Sequence, residues 1–541
     1  KIPQDVRRRT TSGTERTRMS SAAAVAVAAA LAVAVVAVAA RAAPATDALK
    51  VDAASGHFVD QYGRRRVLHG VNVVYKVPPY APREDAFDPQ ASLAAVDIAN
   101  LKKWGFNVVR LGVMWPGWTP AKGAADAAYA KRMVALVKKL AAAGIYTIVD
   151  MHQDLMSRKL CGEGAPDWAV AYPGGEFAAP FPLPVALPYA VNATSHYPSL
   201  EKCLSQNFAF YYVADAVQET FQQLYENYAG FADHLTAFWH NVSATFASVP
   251  GVLGYELINE PWPGNAVRHP HLLEPGKADV EHLAPLYERL HKAIRANDDA
   301  HLVFFEKALV PGQVLPSGFT AVPTGGAAYA DRSVYSYHVY CAPADAEGVP
   351  RNVLLCDGED FAEFEVDYLD ARRLGTGAMM TEFGAMLNAT KSIENLQYLT
   401  SLADVHFQSW TYWQFKYFGD LTTQSGAAES FYDAHGELEH NKVRALARTY
   451  AQAVAGEPLE TSFVPTTATF KLSFRLDTRV ALKAPTVVYY SREYYYPGGA
   501  TITVTPAYTL QHRERTPGYI EFGLDKAAVN GTVVDIMITP A

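Results

Sequence analysis

The stretch Val252-Leu253-Gly254-Tyr255-Glu256-Leu257-Ile258-Asn259-Glu260-Pro261 decides the fold. Its apolar residues have the length and flanks of a buried parallel strand, and its last polar residues come where that strand ends. Because Pro261 turns the chain out of the sheet, we expect the Glu260 carboxyl at a strand tip rather than on a solvated helix face. Taken alone, Asn259-Glu260-Pro261 fits a functional carboxylate and an ordinary strand-to-loop turn equally well.

From about residue 50 onward, the chain repeats a β-rich apolar run, a polar loop and a helical stretch. Strands are predicted at residues 67–73, 107–113, 146–152, 252–260, 302–306, 334–340, 378–383 and 409–415. Helices are predicted at 93–104, 127–143, 231–247, 284–296, 361–374, 393–404 and 440–451. This order of β/α units predicts an α/β fold, a (β/α)8 TIM barrel, with an active site at the C-terminal ends of the strands.

Two segments depart from the β/α repeat. Residues 155–212 are rich in Pro, Tyr, Phe and Gly and longer than a connection requires, so we predict a wall or lid over the site; a disordered insertion is the alternative. After Gly456-Glu457-Pro458 the apolar residues alternate with period two, which predicts a small all-β sandwich. We favour packing against the barrel as its role over carbohydrate or membrane contact. The predicted domains are an N-terminal extension with signal peptide (1–45), a catalytic barrel (46–455) and a C-terminal β-sandwich (456–541).

Composition and charge exclude one class of function and indicate a compartment. With a net charge of −8, the chain has no basic cluster interleaved with aromatics, so nucleic acid is not an expected partner. A basic stretch precedes Met19, and an unbroken apolar run follows at 22–40, which is the layout of a secretory signal. We favour a cleaved signal over a signal anchor because Ala partitions weakly into lipid. A secreted or lysosomal protein is therefore expected.

Sequons and cysteines support an oxidising compartment. Asn-x-Ser/Thr sequons occur at Asn192, Asn241, Asn388 and Asn530, and each is a candidate glycosylation site. The four cysteines form an even set without metal-site spacing, and of the three connectivities we predict Cys161–Cys203 and Cys341–Cys356.

The predicted strand ends carry a chemically coherent set of side chains. Glutamates end the fourth and seventh strands and would face each other across a barrel mouth. Hydrolysis of a glycosidic bond uses one carboxylic acid and a second carboxylate, and a separation of about 5–5.5 Å gives retention of configuration. The candidate residues are Arg110, His152, Asp154, Asn259, Glu260, His338, Tyr340, Glu382 and Trp413.

Each candidate has a chemical role and a structural alternative. Arg110 and Tyr340 would keep Glu382 ionised, while Glu260 would stay protonated until it donates. Asn259 would hold a sugar hydroxyl, and Trp413 would offer its flat face to the ring. The alternatives are that the histidines and aromatics are core residues and that Asp154 is a helix cap or loop residue. Two other strand glutamates, Glu256 and Glu306, fit a buried ion pair or an exposed edge better than catalysis.

These residues resemble glycoside hydrolase family 5. The similarity rests on Leu257-Ile258-Asn259-Glu260-Pro261 and Thr381-Glu382-Phe383-Gly384, and it covers most of residues 60–455. More specific stretches resemble the endoglycoceramidase branch: Gly70-Val71-Asn72-Val73-Val74-Tyr75-Lys76, Asp150-Met151-His152-Gln153-Asp154 and Cys161-Gly162-Glu163-Gly164-Ala165-Pro166-Asp167-Trp168-Ala169.

The resemblance implies Glu260 as acid/base and Glu382 as nucleophile. Around the sugar it implies His152, Asp154, Asn259, His338, Tyr340, Trp413 and, close after the first strand, Lys76. Tyr337 competes with Tyr340 for the tyrosine role. No metal or organic cofactor is implied.

The leading hypothesis is a retaining β-glycosidase that cleaves between glycan and ceramide in glycosphingolipids. The alternatives are a β-glucosidase for glucosylceramide or steryl glucosides, a polysaccharide endoglucanase, and a glycolipid-binding protein on an inactive barrel. The expected partners are the glycosphingolipid and, transiently, a membrane surface; the sequence leaves the oligomeric state open.

Overall fold

The computed structural model describes residues 48–171, 191–195, 197–310, 314–423 and 426–541. The predicted extension and signal peptide, residues 1–45, lie outside this range, as does part of the predicted wall or lid. Within the described residues, no helix combines the length and apolar composition needed to cross a membrane.

Eight parallel strands close into a barrel, as the β/α repeat predicts. Nearly every residue of these strands is buried, because the interior of the barrel covers one face and the helices cover the other. In chain order the strands are His69–Val73, Val108–Gly112, Tyr146–Asp150, Val252–Glu256, Leu302–Phe305, Ser333–Val339, Gly377–Phe383 and Ser409–Tyr412.

Helices connect the strands and pack around the barrel, apart from the short helix Thr478–Ala481, which lies in the C-terminal domain. The helices are Ala95–Lys103, Trp115–Trp118, Ala127–Ala142, Leu200–Cys203, Asp215–Tyr225, Phe231–Phe246, Ala284–Arg295, Val353–Leu374, Thr390–Val405, His440–Leu446 and Thr478–Ala481. Short 3-10 turns lie at Arg158–Leu160, Phe208–Val213, Tyr228–Gly230, Pro270–Leu273, Gly326–Arg332 and Gly426–Glu429, with a π-helical turn at Asp279–Leu283.

Two of the predicted helices have wrong boundaries. The helix expected at 361–374 begins at Val353, because the Asn352 side chain accepts hydrogen bonds from the first free backbone N–H groups. The helix expected at 440–451 ends at Leu446, and the strand Tyr450–Val454 follows it. Cross-strand pairing with Tyr489 and Arg66 there outweighs helical periodicity.

Two antiparallel sheets form the predicted C-terminal sandwich. One contains Gly456–Val464, Thr469–Leu476, Val533–Pro540 and Ala500–Thr505. The other has the order Lys50–Val51, Phe58–Val59, Arg65–Arg66, Tyr450–Val454, Thr486–Tyr489, Tyr519–Leu524 and Leu510–Thr516. The inward residues Phe470, Leu472 and Phe474 alternate with exposed or half-buried ones, as period two requires. The sequence did not predict that residues 50–66 belong to this sheet.

The sandwich packs on the end of the barrel where the strands begin. Tyrosine hydroxyls of Tyr489 and Tyr519 donate to the carbonyls of Lys103 and Lys102 at the end of the first barrel helix, at 2.9 and 2.7 Å. Gly105 permits this approach, because it has φ +85° and a Cβ there would lie 2.4 Å from the Tyr489 ring. The sandwich therefore lies opposite the strand ends that carry the candidate site.

Both predicted disulfides are present. Cys161–Cys203 ties the start of the insertion to a helix near its end, and Cys341–Cys356 ties the end of the sixth strand to the helix Val353–Leu374. Each bond therefore restrains a loop at the C-terminal face of the barrel.

Candidate active site

Glu260 lies in the turn after the fourth strand, with its side chain 16% exposed. The predicted strand at 252–260 was too long, since the strand ends at Glu256. Glu260 has φ +39°, an unusual conformation for a residue with a side chain, and its N–H donates to Glu306 Oε1 at 3.3 Å. Its carboxylate oxygen Oε1 is 2.7 Å from His338 Nδ1.

Glu382 lies within the seventh strand, and a different group holds each of its oxygens. Arg110 Nη1 donates to Oε1 at 2.5 Å, and the Tyr340 hydroxyl donates to Oε2 at 2.9 Å. Both contacts were predicted. Tyr337, the competing tyrosine, instead packs edge-on against Phe364.

Both glutamates lie close to the same ring nitrogen of His338: Nδ1 is 2.7 Å from Glu260 Oε1 and 3.6 Å from Glu382 Oε2. One carboxylate oxygen of Glu260, one of Glu382 and one ring nitrogen of His338 lie within 4.8 Å of one another. Carboxyl groups this close leave no room for a water between them and the sugar, and the spacing matches direct attack by one of them. The geometry is that of a retaining glycosidase.

Electrostatics distinguish the two carboxyl groups. Burial and the nearby Asp154 carboxylate together raise the pKa of Glu260 to about 7. The cations His152, Arg110 and Lys76 act in the opposite direction but do not cancel this rise. Burial also raises the pKa of Glu382, and the nearby His338 and Arg110 offset only part of that rise. Since Arg110 bonds directly to Glu382 and only acts at a distance on Glu260, Glu260 is the better proton donor.

Arg110 organises the base of the site and is fully buried. Besides Glu382, it bonds to Glu256, to Asn259 Oδ1 at 2.8 Å and to Asn72 Oδ1 at 3.1 Å. The ion pair with Glu256 matches the buried ion pair expected for that residue. Burial lowers the pKa of Arg110, but the surrounding carboxylates more than compensate, and the guanidinium stays charged.

A second cation, Lys76, lies at the sugar side of the site. Its Nζ is 2.6 Å from Asp154 Oδ2 and 2.9 Å from Asp420 Oδ1, and it lies 4.7 Å from the centre of the Trp413 ring. Burial lowers the pKa of Lys76, but these carboxylates raise it by more.

His152 lies beside Lys76 and Trp413 on the sugar side of the site. It stacks on Trp413 with ring centroids 4.9 Å apart and bonds through Nδ1 to Asp150 Oδ2 at 2.9 Å. Burial lowers its pKa, but Asp150 reverses this effect and raises it to about 9, so the ring is cationic at neutral pH. The sugar side of the site thus combines the aromatic face of Trp413 with two buried cations and their carboxylate partners.

Two pockets meet at Glu260. The first contains all the predicted sugar-side residues except His338, together with Asn207, Phe208 and Ala209 of the insertion. These three residues, near the end of the insertion, form part of the pocket wall. The second lies on the other side of Glu260 and His338 and has apolar lining from Leu272, Leu309, Val310 and Leu315. The described residues that line these two pockets all come from the barrel and its loops.

The structure brings together every residue predicted at the site except Tyr337, the competing tyrosine, and adds several others. Glu306, expected in an ion pair or at an exposed edge, is buried at the site, where it accepts the Glu260 N–H; the exposed-edge interpretation is wrong. Gln153 donates to the carbonyls of Asn259 and Glu260 at 2.7 and 3.2 Å and supports the turn. Other buried contributors are Asn72, Asp150, Glu163, Asp420 and Thr422. Asn72 and Asp150 stand in stretches that carry the family resemblance, but nothing in the sequence assigned either of them a role.

Known proteins share this architecture. Residues 84–419 match the family model described as cellulase (glycosyl hydrolase family 5), and residues 448–538 match the glycoside hydrolase family 5 C-terminal domain. An endoglycoceramidase of Cyanea nozakii is 37% identical over 459 residues, which are 85% of this chain and 87% of that protein. An endoglycoceramidase of Hydra vulgaris is 36% identical over 498 residues, 91% of this chain and 90% of that protein. The structure of endo-glycoceramidase II from Rhodococcus sp. in complex with ganglioside GM3 has a TM-score of 0.70 at 23% identity and covers 90% of this chain and 99% of that one.

Proposed function

Because this chain belongs to glycosyl hydrolase family 5, we propose that it is a retaining β-glycosidase that hydrolyses the bond between glycan and ceramide in glycosphingolipids. Glu260 is the acid/base and Glu382 is the nucleophile. The observation that carries the proposal is the pair of carboxyl groups within 4.8 Å, one with a pKa near 7 and the other bonded to Arg110 and Tyr340.

The reaction proceeds in two steps. Glu382 attacks the anomeric carbon while Glu260 gives its proton to the departing ceramide oxygen, and a covalent glycosyl-enzyme ester forms. Esterification removes the Glu382 charge, so Glu260 ionises more readily. Glu260 then takes a proton from water, which attacks the anomeric carbon and releases the glycan with its original configuration.

The two pockets suit the two halves of the substrate. Lys76, His152 and Asp154 offer charged groups to sugar hydroxyls, and Trp413 offers an apolar face to a ring. The second pocket, beyond the proposed proton donor, combines apolar side chains such as Leu272 and Leu315 with carboxylates such as Glu274 and Glu363, and its apolar part suits a ceramide. The endoglycoceramidase relatives support this substrate class.

A substrate panel with the parent enzyme and two variants tests the proposal. The parent should release free oligosaccharide and ceramide from a ganglioside, whereas Glu260→Gln and Glu382→Gln should each lose activity by at least about 100-fold. NMR of the first product should show the β-anomer before mutarotation.

The other outcomes identify the alternatives. Activity confined to glucosylceramide or steryl glucosides would indicate a β-glucosidase, and activity on β-glucan would indicate an endoglucanase. Binding without turnover from acidic to neutral pH would indicate a glycolipid-binding protein. Full activity of Glu382→Gln would disprove the assigned nucleophile.

The disulfides and sequons support a secreted or lysosomal location. The barrel at 46–455 carries the proposed catalytic residues, and the sandwich at 456–541 acts as a packing domain. Asn192, Asn241 and Asn530 are exposed in the structure, as glycosylation requires. Expression in secretory cells followed by N-glycanase digestion should lower the apparent mass. An unchanged mass, with protein retained in the cytosol, would contradict this location.

A further inference from the structure

Two groups of exposed apolar side chains lie at the C-terminal face of the barrel. The insertion lip consists of Leu200, Leu204 and Phe210, which are 48%, 53% and 61% exposed. The helix lip consists of Leu354 and Leu355, which are 81% and 62% exposed. Single exposed leucines are ordinary on protein surfaces, but clustered ones mark an interaction site.

Local structure holds the helix lip in place. Leu354 and Leu355 lie in the first turn of the helix Val353–Leu374, and their N–H groups donate to the Asn352 side chain at 3.0 and 3.4 Å. The first turn of a helix favours acidic side chains, and this one has none. The leucines therefore stand in solvent on a rigid backbone where charged residues would be expected.

The insertion lip has a similar construction. Leu200 and Leu204 are four residues apart at a short helix, so their side chains lie on one side of it. Ser199 caps this helix through a hydrogen bond from Lys202 N–H. Phe210 lies in the 3-10 turn Phe208–Val213, which follows this helix.

Both lips continue directly into the substrate pocket. Asn207 and Phe208, which lie between the residues of the insertion lip, line that pocket. Ala344 and Gly348, in the loop that leads to the helix lip, line it too. The two lips thus flank one entrance.

The two disulfides anchor the lips. Cys203, which precedes Leu204, is bonded to Cys161, and Cys356, which follows Leu355, is bonded to Cys341. Cys341 itself lines the pocket. Each lip is therefore tied covalently to a loop at the C-terminal face of the barrel.

We propose that the insertion lip and the helix lip dock the enzyme on the surface of an electrically neutral lipid bilayer. This inference rests on the proposed function, since a substrate anchored in a bilayer must enter between the lips. A protein or a second copy seated there would cover the same entrance. The net charge of −8 opposes attraction to anionic lipid, so apolar insertion drives the contact.

The test measures binding to vesicles of pure phosphatidylcholine by co-sedimentation. The double variants Leu354→Ser/Leu355→Ser and Leu204→Ser/Phe210→Ser should each bind about tenfold more weakly than the parent. Leu482→Ser is the matched control, because Leu482 is 77% exposed but belongs to the sandwich, and it should bind like the parent. Thermal unfolding midpoints of all variants should equal that of the parent.

A further variant should strengthen vesicle binding, a result that misfolding could not produce. Leu354→Trp should tighten vesicle binding, because Trp partitions well into the interface. Binding should also persist at about 1 M salt, where electrostatic attraction is screened.

Three outcomes would overturn the proposal: unchanged binding of both lip variants, release of the parent by salt, or no binding by the parent. Sedimentation of the parent as a dimer that the lip variants dissociate, without vesicle binding, would assign the surface to a second copy instead. Lip-dependent binding without ganglioside hydrolysis would refute the proposed function and leave the docking surface standing.

Discussion

We predict that Glu260→Gln removes activity yet stabilises the protein at alkaline pH. A pKa displaced from 4.5 to about 7 corresponds to roughly 3 kcal/mol, at about 1.36 kcal/mol per pKa unit. The side chain is only 16% exposed, so solvent does little to relieve the cost of ionising it. Glutamine has the same shape and no charge to bury.

The size of this stability difference depends on pH. Below pH 4.5 the carboxyl is protonated in both the folded and the unfolded protein, and the parent and the variant should be equally stable. Between pH 4.5 and about 7 the unfolded chain loses this proton while the folded protein keeps it, so the parent loses free energy of unfolding as pH rises. Above pH 7 the variant should be more stable by about 3 kcal/mol.

Urea unfolding from pH 4 to pH 8 measures this difference. Glu437→Gln is the control, because Glu437 is exposed, and its free energy of unfolding should follow that of the parent at every pH. An equal difference between Glu260→Gln and the parent at pH 4 and pH 8 would refute the electrostatic argument. A less stable variant at pH 8 would show that hydrogen bonding of the carboxylate outweighs its burial.

Four further changes have defined outcomes. Glu382→Ala should be inactive, and azide should restore turnover of an activated aryl glycoside with inversion at the anomeric carbon; retention would contradict the assigned nucleophile. Arg110→Met should lower the free energy of unfolding by about 3–5 kcal/mol, because buried carboxylates lose their cation; a loss below about 1 kcal/mol in urea unfolding would contradict this. Lys76→Met should move the basic limb of the kcat/KM–pH profile upward, since Lys76 lowers the pKa of Glu260; a downward shift would contradict it. Cys203→Ser opens a disulfide that spans 42 residues and should cost about 2–4 kcal/mol by the same unfolding assay; reducing agent should then affect the parent more than the variant.

The barrel was predictable because its signals are local. Apolar runs such as 107–113 and 146–152 alternate with helical periodicity, and a strand buried on both faces has few other interpretations. The family, the barrel and the C-terminal all-β domain are confirmed. Pairs that depend on distant residues were not predictable. The strands within 50–66 have only two residues each, and 450–454 follows a stretch of helical periodicity, so only their pairing identifies them as parts of one sheet.

In the candidate site, too, features with a local sequence signal were predictable, and features that depend on distant contacts were not. Strand-end residues such as Glu382 and Tyr340 could be identified because the barrel topology brings strand ends together. The role of Glu306 could not, since it depends on the turn at Glu260 presenting its N–H to that carboxylate. Positive φ at a glutamate leaves no signature in composition or periodicity.

The sheet shared by residues 50–66 and 450–524 has a consequence for synthesis on the ribosome. Arg65 and Arg66 pair with Ala453 and Val454, strands separated by the entire barrel sequence. Within 50–66 the three short strands pair with one another, but the outer edge of Arg65–Arg66 must wait until residues 453–454 have emerged. The last barrel strand ends earlier, at Tyr412, so a ribosome that stalls between these two points leaves an open strand edge for chaperones to protect.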